Sequence, residues 1–238
     1  MIIDMHSHIL PGIDDGSKDV EESIALLDRL AKNVTDLVVA TPHFYAEEQS
    51  VSQFVSKRNA AYEKLKPFLK PEHPKILLGA EVLYNPVLVG NELLYDLKIQ
   101  GTNYILLEMP YKDLTSEIID NVAAIVDSMD VKVLIAHIER YLNFTSFKNL
   151  SNLMDLDVIG QINAKSLTKM SSRRSCFKLI KKGYVHTLGS DLHRVSKPVP
   201  LVKDAFPILD KKFGQGFTNS LMKNEIAILK DVDIEQFF

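Results

Sequence analysis

Residues 1–16 read MIIDMHSHILPGIDDG: a short apolar run, then His-Ser-His, then a Gly/Pro turn holding two aspartates. A first strand needs apolar residues, not a pair of histidines two positions apart. On a strand, side chains at positions i and i+2 share one face, so His6 and His8 project together at its end. The same arrangement recurs along the chain. Short β-branched runs at Ile2–His6, Asp36–Thr41, Ile76–Glu81, Tyr104–Glu108, Lys132–His137, Val158–Asn163 and Val185–Ser190 alternate with segments of helical spacing. Those segments are Val20–Lys32, Ser52–Leu69, Ser116–Met129, Phe147–Met154 and Ser171–Lys182. About seven βα units predict an α/β fold of buried parallel strands, a distorted (β/α)7 barrel.

The bulk numbers allow this. At 238 residues and 46% hydrophobic, the chain suffices for one large α/β domain, residues 1–238. The Pro- and Lys-rich stretch 66–75 joins a helix to a strand and divides nothing. Residues 200–238 read as a C-terminal helical layer.

Lys and Arg number 28 against 31 Asp and Glu, and neither sign forms a long run, so nucleic acid is not the indicated partner. The single cysteine, Cys176, forbids an intrachain disulfide. It reads as a small apolar residue of a helix, since no Gly-rich phosphate loop surrounds it. The N-terminus has no signal-peptide pattern and no apolar run nears a membrane span, so the expectation is a cytoplasmic protein without membrane insertion.

In a parallel barrel the active site forms at the carboxyl ends of the strands. The first run ends in His6 and His8, with Asp15 in the following GIDDG loop. Later ends carry His43 (TPHF), Glu81 (GAE), Glu108 (LLE), His137 and Arg140 (IAHIER), and Asp191 and His193 (GSDLH). Charged residues are seldom buried unpaired. Their repetition at strand ends points to a metal site, and His with carboxylate suits Zn, Mn or Fe. Nine candidate ligands, His6, His8, Asp15, His43, Glu81, Glu108, His137, Asp191 and His193, exceed the needs of one four-coordinate ion and imply a bi- or trinuclear cluster. Asp4 is placed to orient a ligand histidine. Asp14 competes with Asp15 for one ligand role, and either fits equally as the cap of the helix that SKDVEES begins. Arg140 stands at the fifth strand end as a candidate site residue, with a surface ion pair as its plainer reading.

In order, HSH, DDG, TPH, GAE, LLEMP, AHIERY and GSDLH resemble the polymerase and histidinol phosphatase (PHP) superfamily, and within it the manganese-dependent protein-tyrosine phosphatases of bacterial capsule and exopolysaccharide operons. QINAKSL, residues 161–167, resembles a segment of the same branch, and the motifs support the match over residues 1–195. The resemblance implies a distorted (β/α)7 barrel with three metals. By it His6, His8, Glu81 and Asp191 hold the first, Glu81 bridges to a second on Glu108 and His137, and Asp15, His43 and His193 hold the third. Arg140 is the phosphate-binding arginine by the same resemblance. His-Ile-Glu-Arg stands here where His-Pro-Glu-Arg is commoner, a change that touches no ligand.

Such a cluster lowers the pKa of bound water from 15.7 toward about 7, so a bridging hydroxide would attack phosphorus in line. The leaving phenolate, with a conjugate-acid pKa of about 10, takes its proton from water or from His193. The implied substrate is a tyrosine-phosphorylated bacterial kinase, and the implied cofactor is Mn2+, with Fe or Zn alternatives. Two rival readings stand beside it: a histidinol-phosphatase-like small-molecule phosphomonoesterase, and a non-catalytic kinase-binding regulator.

Overall fold

The computed structural model describes residues 1–128, 131–232 and 234. All strand pairs are parallel. β1 (Ile3–Ser7), β2 (Leu37–Ala40) and β4 (Lys75–Leu78) form one sheet in the order β1-β2-β4. β3 (His43–Phe44), β5 (Glu81–Leu83), β6 (Tyr104–Glu108), β7 (Lys132–Ile135), β8 (Val158–Asn163) and β9 (Thr187–Gly189) form the other, in that order. Every strand run expected from the sequence is present, but two are broken near Pro42 and Gly79. Pro42 has no N–H to give a ladder. Gly79 lies at the second break, where a Cβ would make only ordinary contacts with Thr41, Val39 and Ile99. Hydrogen bonds carry on across both breaks, from Thr41 N to Ser7 O, Gly79 N to Ala40 O and Glu81 N to Pro42 O.

The sheet curls until β9 meets β1. Asp191 N donates to His6 O and His8 N to Leu192 O, both at 2.9 Å, and Ser7 pairs with Leu192 in an isolated bridge. On the other side, Gln100 N donates to Leu78 O and Ile99 N to Tyr104 O, filling the space between β4 and β6. One apolar cluster joins Ile3, Met5, Leu37, Val39, Tyr104, Leu106, Leu134, Ala136 and Ile159. These are alternate residues of strands that are not all sheet neighbours, so only the concave side of the curl can bring them together.

Helices cover the outside. α1 (Val20–Lys32) starts at Asp19, whose side chain accepts from Glu22 N, and buries Leu26, Leu27 and Leu30. α2 (Val51–Leu65) starts in a capping box of Ser50 and Gln53. α3 (Ser116–Ser128), α4 (Phe147–Met154) and α6 (Met170–Lys181) follow close to the predicted bounds, and a short α5 (Ala164–Thr168), not expected from the sequence, precedes α6. The expected helix at Ser116–Met129 ends on a residue outside those described. Alternation is not strict. Between β5 and β6 the described residues form only 3-10 turns, Pro86–Leu88 and Glu92–Leu97, each opened by an asparagine whose side chain accepts a backbone N–H.

The C-terminal layer is α7 (Val202–Phe213) and α8 (Gln215–Leu229). α8 is tied to the sheet by two polar groups. Glu225 Oε1 accepts from Leu188 N at 3.0 Å, and Asn224 Nδ2 donates to His186 O at 3.3 Å. Its Ile228 joins the concave cluster.

Candidate metal centre and phosphate cleft

β1 pairs regularly with β2 as far as Asp4, then its register shifts before Ser7. His6 lies in that irregular stretch and His8 just past the strand, both fully buried. Their Nε2 atoms stand 3.1 Å apart, and each lies within 3.2 Å of Glu81 Oε2. The outer nitrogens are spoken for. His6 Nδ1 faces Gln161 Oε1 at 3.3 Å and His8 Nδ1 faces Asp14 Oδ2 at 2.7 Å. Both partners accept, so in the neutral rings each proton sits on Nδ1, and the lone pairs of both Nε2 atoms then point at one another and at a carboxylate. Three electron-rich atoms turned inward without a proton between them are a cation's donor set.

Two more donor groups adjoin this one. His8, Asp15, His43 and His193 offer ligand atoms within 4.8 Å of one another, as do His43, Glu81 and Glu108. His137 Nε2 lies 2.8 Å from Glu81 Oε1 and 3.5 Å from Glu108 Oε1. Asp191 Oδ1 lies 3.6, 3.5 and 3.4 Å from His6, His8 and His193. All nine residues proposed as ligands from the sequence therefore meet. His43 Nδ1 and Glu81 Oε2 are buried without a hydrogen-bond partner, as metal donors would be.

Charge balance in the cluster follows from the neighbours. Burial opposes ionisation of Glu81, but His6 and His137 outweigh it and hold its pKa well below the carboxylate range. Burial and then the Glu81 charge push Glu108 the other way, to about 7. Burial pulls His6 down, yet Glu81 and Asp191 leave it raised. His137, where burial prevails, falls to about 4. Adjacent carboxylates with opposed shifts are what like charges do at close range, and divalent cations relieve that conflict.

The backbone is strained at the same place. His137 (φ 32°) and Asp191 (φ 56°) adopt the left-handed region without being glycine, a cost that persists where surroundings enforce it. His137 is held by its N–H to Gln161 Oε1 at 2.8 Å, and Asp191 Oδ2 accepts from Asn163 Nδ2 at 3.0 Å. Gln161 and Asn163 face the same way along β8, which explains what QINAKSL does.

The cluster floors a cleft of about 490 Å3 whose walls include Tyr45, Tyr111, Arg140, Asn163, Lys165 and Lys197. Arg140 hydrogen-bonds Asp191 through Nη2 and donates to Tyr111 Oη at 3.2 Å through Nη1. It is thus an active-cleft cation rather than a partner of a surface acid. Tyr111 in turn donates to Glu108 Oε1 at 2.8 Å. Tyr45 stacks on His43 with ring centroids 5.3 Å apart.

Some sequence expectations are corrected. The cap of α1 is Asp19, not Asp14 or Asp15. Asp14 instead accepts from His8 and from the backbone N–H groups of Gly16 and His43. Asp4 orients no histidine ring. Its Oδ1 accepts from the backbone of Ser190 and His6, because the register shift separates it from the ligand face. Cys176 is buried in α6 with a raised pKa, caused first by burial. Tyr111 escaped notice, Gln161 and Asn163 were given no role of their own, and Asp14 was weighed as a ligand or a cap but not as the partner of His8. Only the period-two spacing of Gln161 and Asn163 carried a signal.

No helix among the described residues is long and apolar enough to cross a membrane. The family described as "Capsular polysaccharide synthesis, CpsB/CapC" matches residues 2–230. The tyrosine-protein phosphatase CpsB of Streptococcus agalactiae serotype III (strain NEM316) is 26% identical over 246 residues, 97% of this chain and 99% of that protein. CpsB of Streptococcus pneumoniae is 29% identical over 231 residues, 90% and 91% of the two chains. The tyrosine-protein phosphatase YwqE of Bacillus subtilis (strain 168) is 27% identical over 253 residues, 98% and 93%. A crystal structure described under YwqE from Bacillus subtilis and CpsB from Streptococcus pneumoniae, "unique metal-dependent tyrosine phosphatases", superposes with a TM-score of 0.83 at 22% identity, covering 99% of this chain and 97% of that one. The curled parallel sheet is thus shared with that structure, and by its sequence the chain belongs to the CpsB/CapC family of capsular polysaccharide synthesis.

Proposed function

We propose that the chain is a metal-dependent protein-tyrosine phosphatase built on a distorted (β/α)7 barrel. The observation that carries this is the triangle of His6 Nε2, His8 Nε2 and Glu81 Oε2, with sides of 3.1 to 3.2 Å, on the floor of a cleft walled by Arg140. His6, His8, Glu81 and Asp191 would hold one divalent ion, Glu81, Glu108 and His137 a second, and Asp15, His43 and His193 a third. We assign Mn2+ as the ion, with Fe or Zn fitting the same donors. Bound there, such ions polarise phosphoryl oxygens and lower the pKa of water, which is what hydrolysis of a phosphate ester requires.

The chain's own groups do the rest. Arg140 presents a planar guanidinium to the non-bridging phosphoryl oxygens, a bidentate task that suits it better than lysine. Tyr111 and Asp191 fix its direction. Tyr45 and Tyr111 flank the cleft where an aryl ring of the substrate would lie. His193 serves as a ligand rather than as the acid. Its Nδ1 donates to Asp191 O at 3.0 Å, and burial lowers its pKa, which favours the neutral ring. A phenolate leaving group tolerates that, since its conjugate acid has a pKa of about 10.

The relatives' names and the family support a phosphotyrosine protein as substrate, and we place a capsule-associated bacterial tyrosine kinase in that role. The test is kcat/KM of metal-loaded protein on a phosphotyrosine peptide, the matching phosphoserine peptide and histidinol phosphate. Preference for the first is expected. Preference for histidinol phosphate would move the protein to small-molecule metabolism, and binding of a phosphorylated kinase without turnover of any of them would make it a regulator.

A further inference from the structure

The cleft does not end at Arg140. Arg140, Asn163 and Lys165 also wall a second hollow, about 360 Å3, whose remaining sides include Asn143, Ser166, Lys169 and Ser175. Its one carboxylate is turned inward. Glu139 is 4% exposed, and its Oε1 accepts from Ser166 Oγ at 2.7 Å and Asn163 N at 3.3 Å. What faces solvent is cations and hydroxyls. Lys165 and Lys169 are exposed, and among the described residues neither forms an ion pair.

Lys169 is also badly placed for the helix it begins. It is the N-cap of α6 and makes no side-chain capping bond. Ser, Thr, Asp and Asn are preferred there, and the positive end of the helix macrodipole disfavours a cation. Lys169 also ends α5, whose negative end favours a cation, so its charge is matched there and unmatched at the head of α6, where Lys165 and Arg140 add repulsion. An anion brought by a ligand would remove both penalties.

The geometry points to a subsite for an acidic side chain of the substrate, flanking the phosphotyrosine, with Lys165 and Lys169 as its counter-charges. The inference rests on the phosphatase reading above and specifies its substrate. With the phosphoryl group at Arg140, an extended chain advances about 3.3–3.6 Å per residue, so a hollow sharing that wall is reached within one to three positions. The ligand is a protein carboxylate, Asp or Glu, on the chain that carries the phosphotyrosine.

The experiment uses the full metal-loaded chain and two phosphotyrosine peptides, one with Asp and Glu at three positions on each side, the other with Asn and Gln there. p-Nitrophenyl phosphate, which has no flanks, is the reference substrate. The acidic peptide should have the higher kcat/KM, by about two- to tenfold for two solvent-exposed charge pairs, falling with added salt. Lys169→Glu and Lys169→Gln should each reduce that ratio, the former to one or below, while kcat/KM for p-nitrophenyl phosphate stays unchanged. Equal rates on the two peptides, or a ratio untouched by both substitutions, would overturn the subsite alone. Turnover of neither peptide nor p-nitrophenyl phosphate would overturn the phosphatase reading, and the subsite with it.

Discussion

Tyr111 joins two charged groups of opposite sign, donating to Glu108 and accepting from Arg140. Its phenol stays protonated at neutral pH, because burial and then the Glu108 charge raise its pKa. Tyr111→Phe removes both bonds and leaves the ring in place. A lost bond of about 1.5 kcal/mol to a charged partner lowers kcat/KM roughly tenfold, with bound metal unchanged by elemental analysis. Arg140→Ala goes further, since it removes the cleft's fixed guanidinium. Its kcat should fall about 100- to 1,000-fold, again with metal retained. If Arg140→Ala kept full activity, its assignment would be wrong. At this scale the sequence was legible where residue type and position conflicted. A histidine or acid at the end of an apolar strand has few structural uses, so all nine ligand candidates stood out. Gln161 and Tyr111 did not, because a glutamine on a strand and a tyrosine after Met-Pro are ordinary in those places.

On β8, Gly160 leaves no room for a side chain. A Cβ there would lie 2.1 Å from Tyr184 O, 2.9 Å from Ile138 Cδ1 and 3.0 Å from Met154 Cε. Gly160→Ala should destabilise by about 1–3 kcal/mol, a Tm loss of roughly 3–10 °C at this chain length, measured by thermal melting. α8 carries a different liability. Burial, reinforced by the charge of Asp4, holds the pKa of Glu225 well above 4.5, and its carboxyl accepts from Leu188 N. The folded state thus keeps a proton that the unfolded chain releases, so stability is greatest below the unfolded pKa and declines as pH rises above about 4.5 toward the folded value. Glu225→Gln keeps the acceptor and discards the titration. Denaturant melts should show the variant gaining on wild type as pH rises from 4 to 8, and a constant difference would contradict the account. Element positions were legible for α1 and α4, whose three- and four-residue apolar spacing the structure reproduces. The breaks at Pro42 and Gly79 and the 3-10 turns after β5 were not, since periodicity averages over single residues and those turns depend on local asparagine caps.

Taken whole, the molecule brings donors from both sheets and from the loops beyond them to one end of the curl. The seam between β9 and β1 sets Asp191 beside His6 and His8, and the paired ends of β3 and β5 set His43 beside Glu81. That assembly depends on the curl being closed, which no local pattern encodes, although the recurrence of strand-end ligands implied it. So many buried carboxylates and imidazoles with opposed pKa shifts are a poor arrangement for a protein without cations. The most direct measurement is therefore a metal titration of chelator-stripped protein, following bound Mn2+ and the initial rate on a phosphotyrosine peptide together, beside Asp191→Ala. The account predicts no turnover when stripped, and a rate that rises with bound metal and levels off near three ions per chain. Asp191→Ala should recover neither the full metal content nor the rate. Undiminished turnover by metal-free protein, or an Asp191→Ala variant that binds and hydrolyses like wild type, would contradict it.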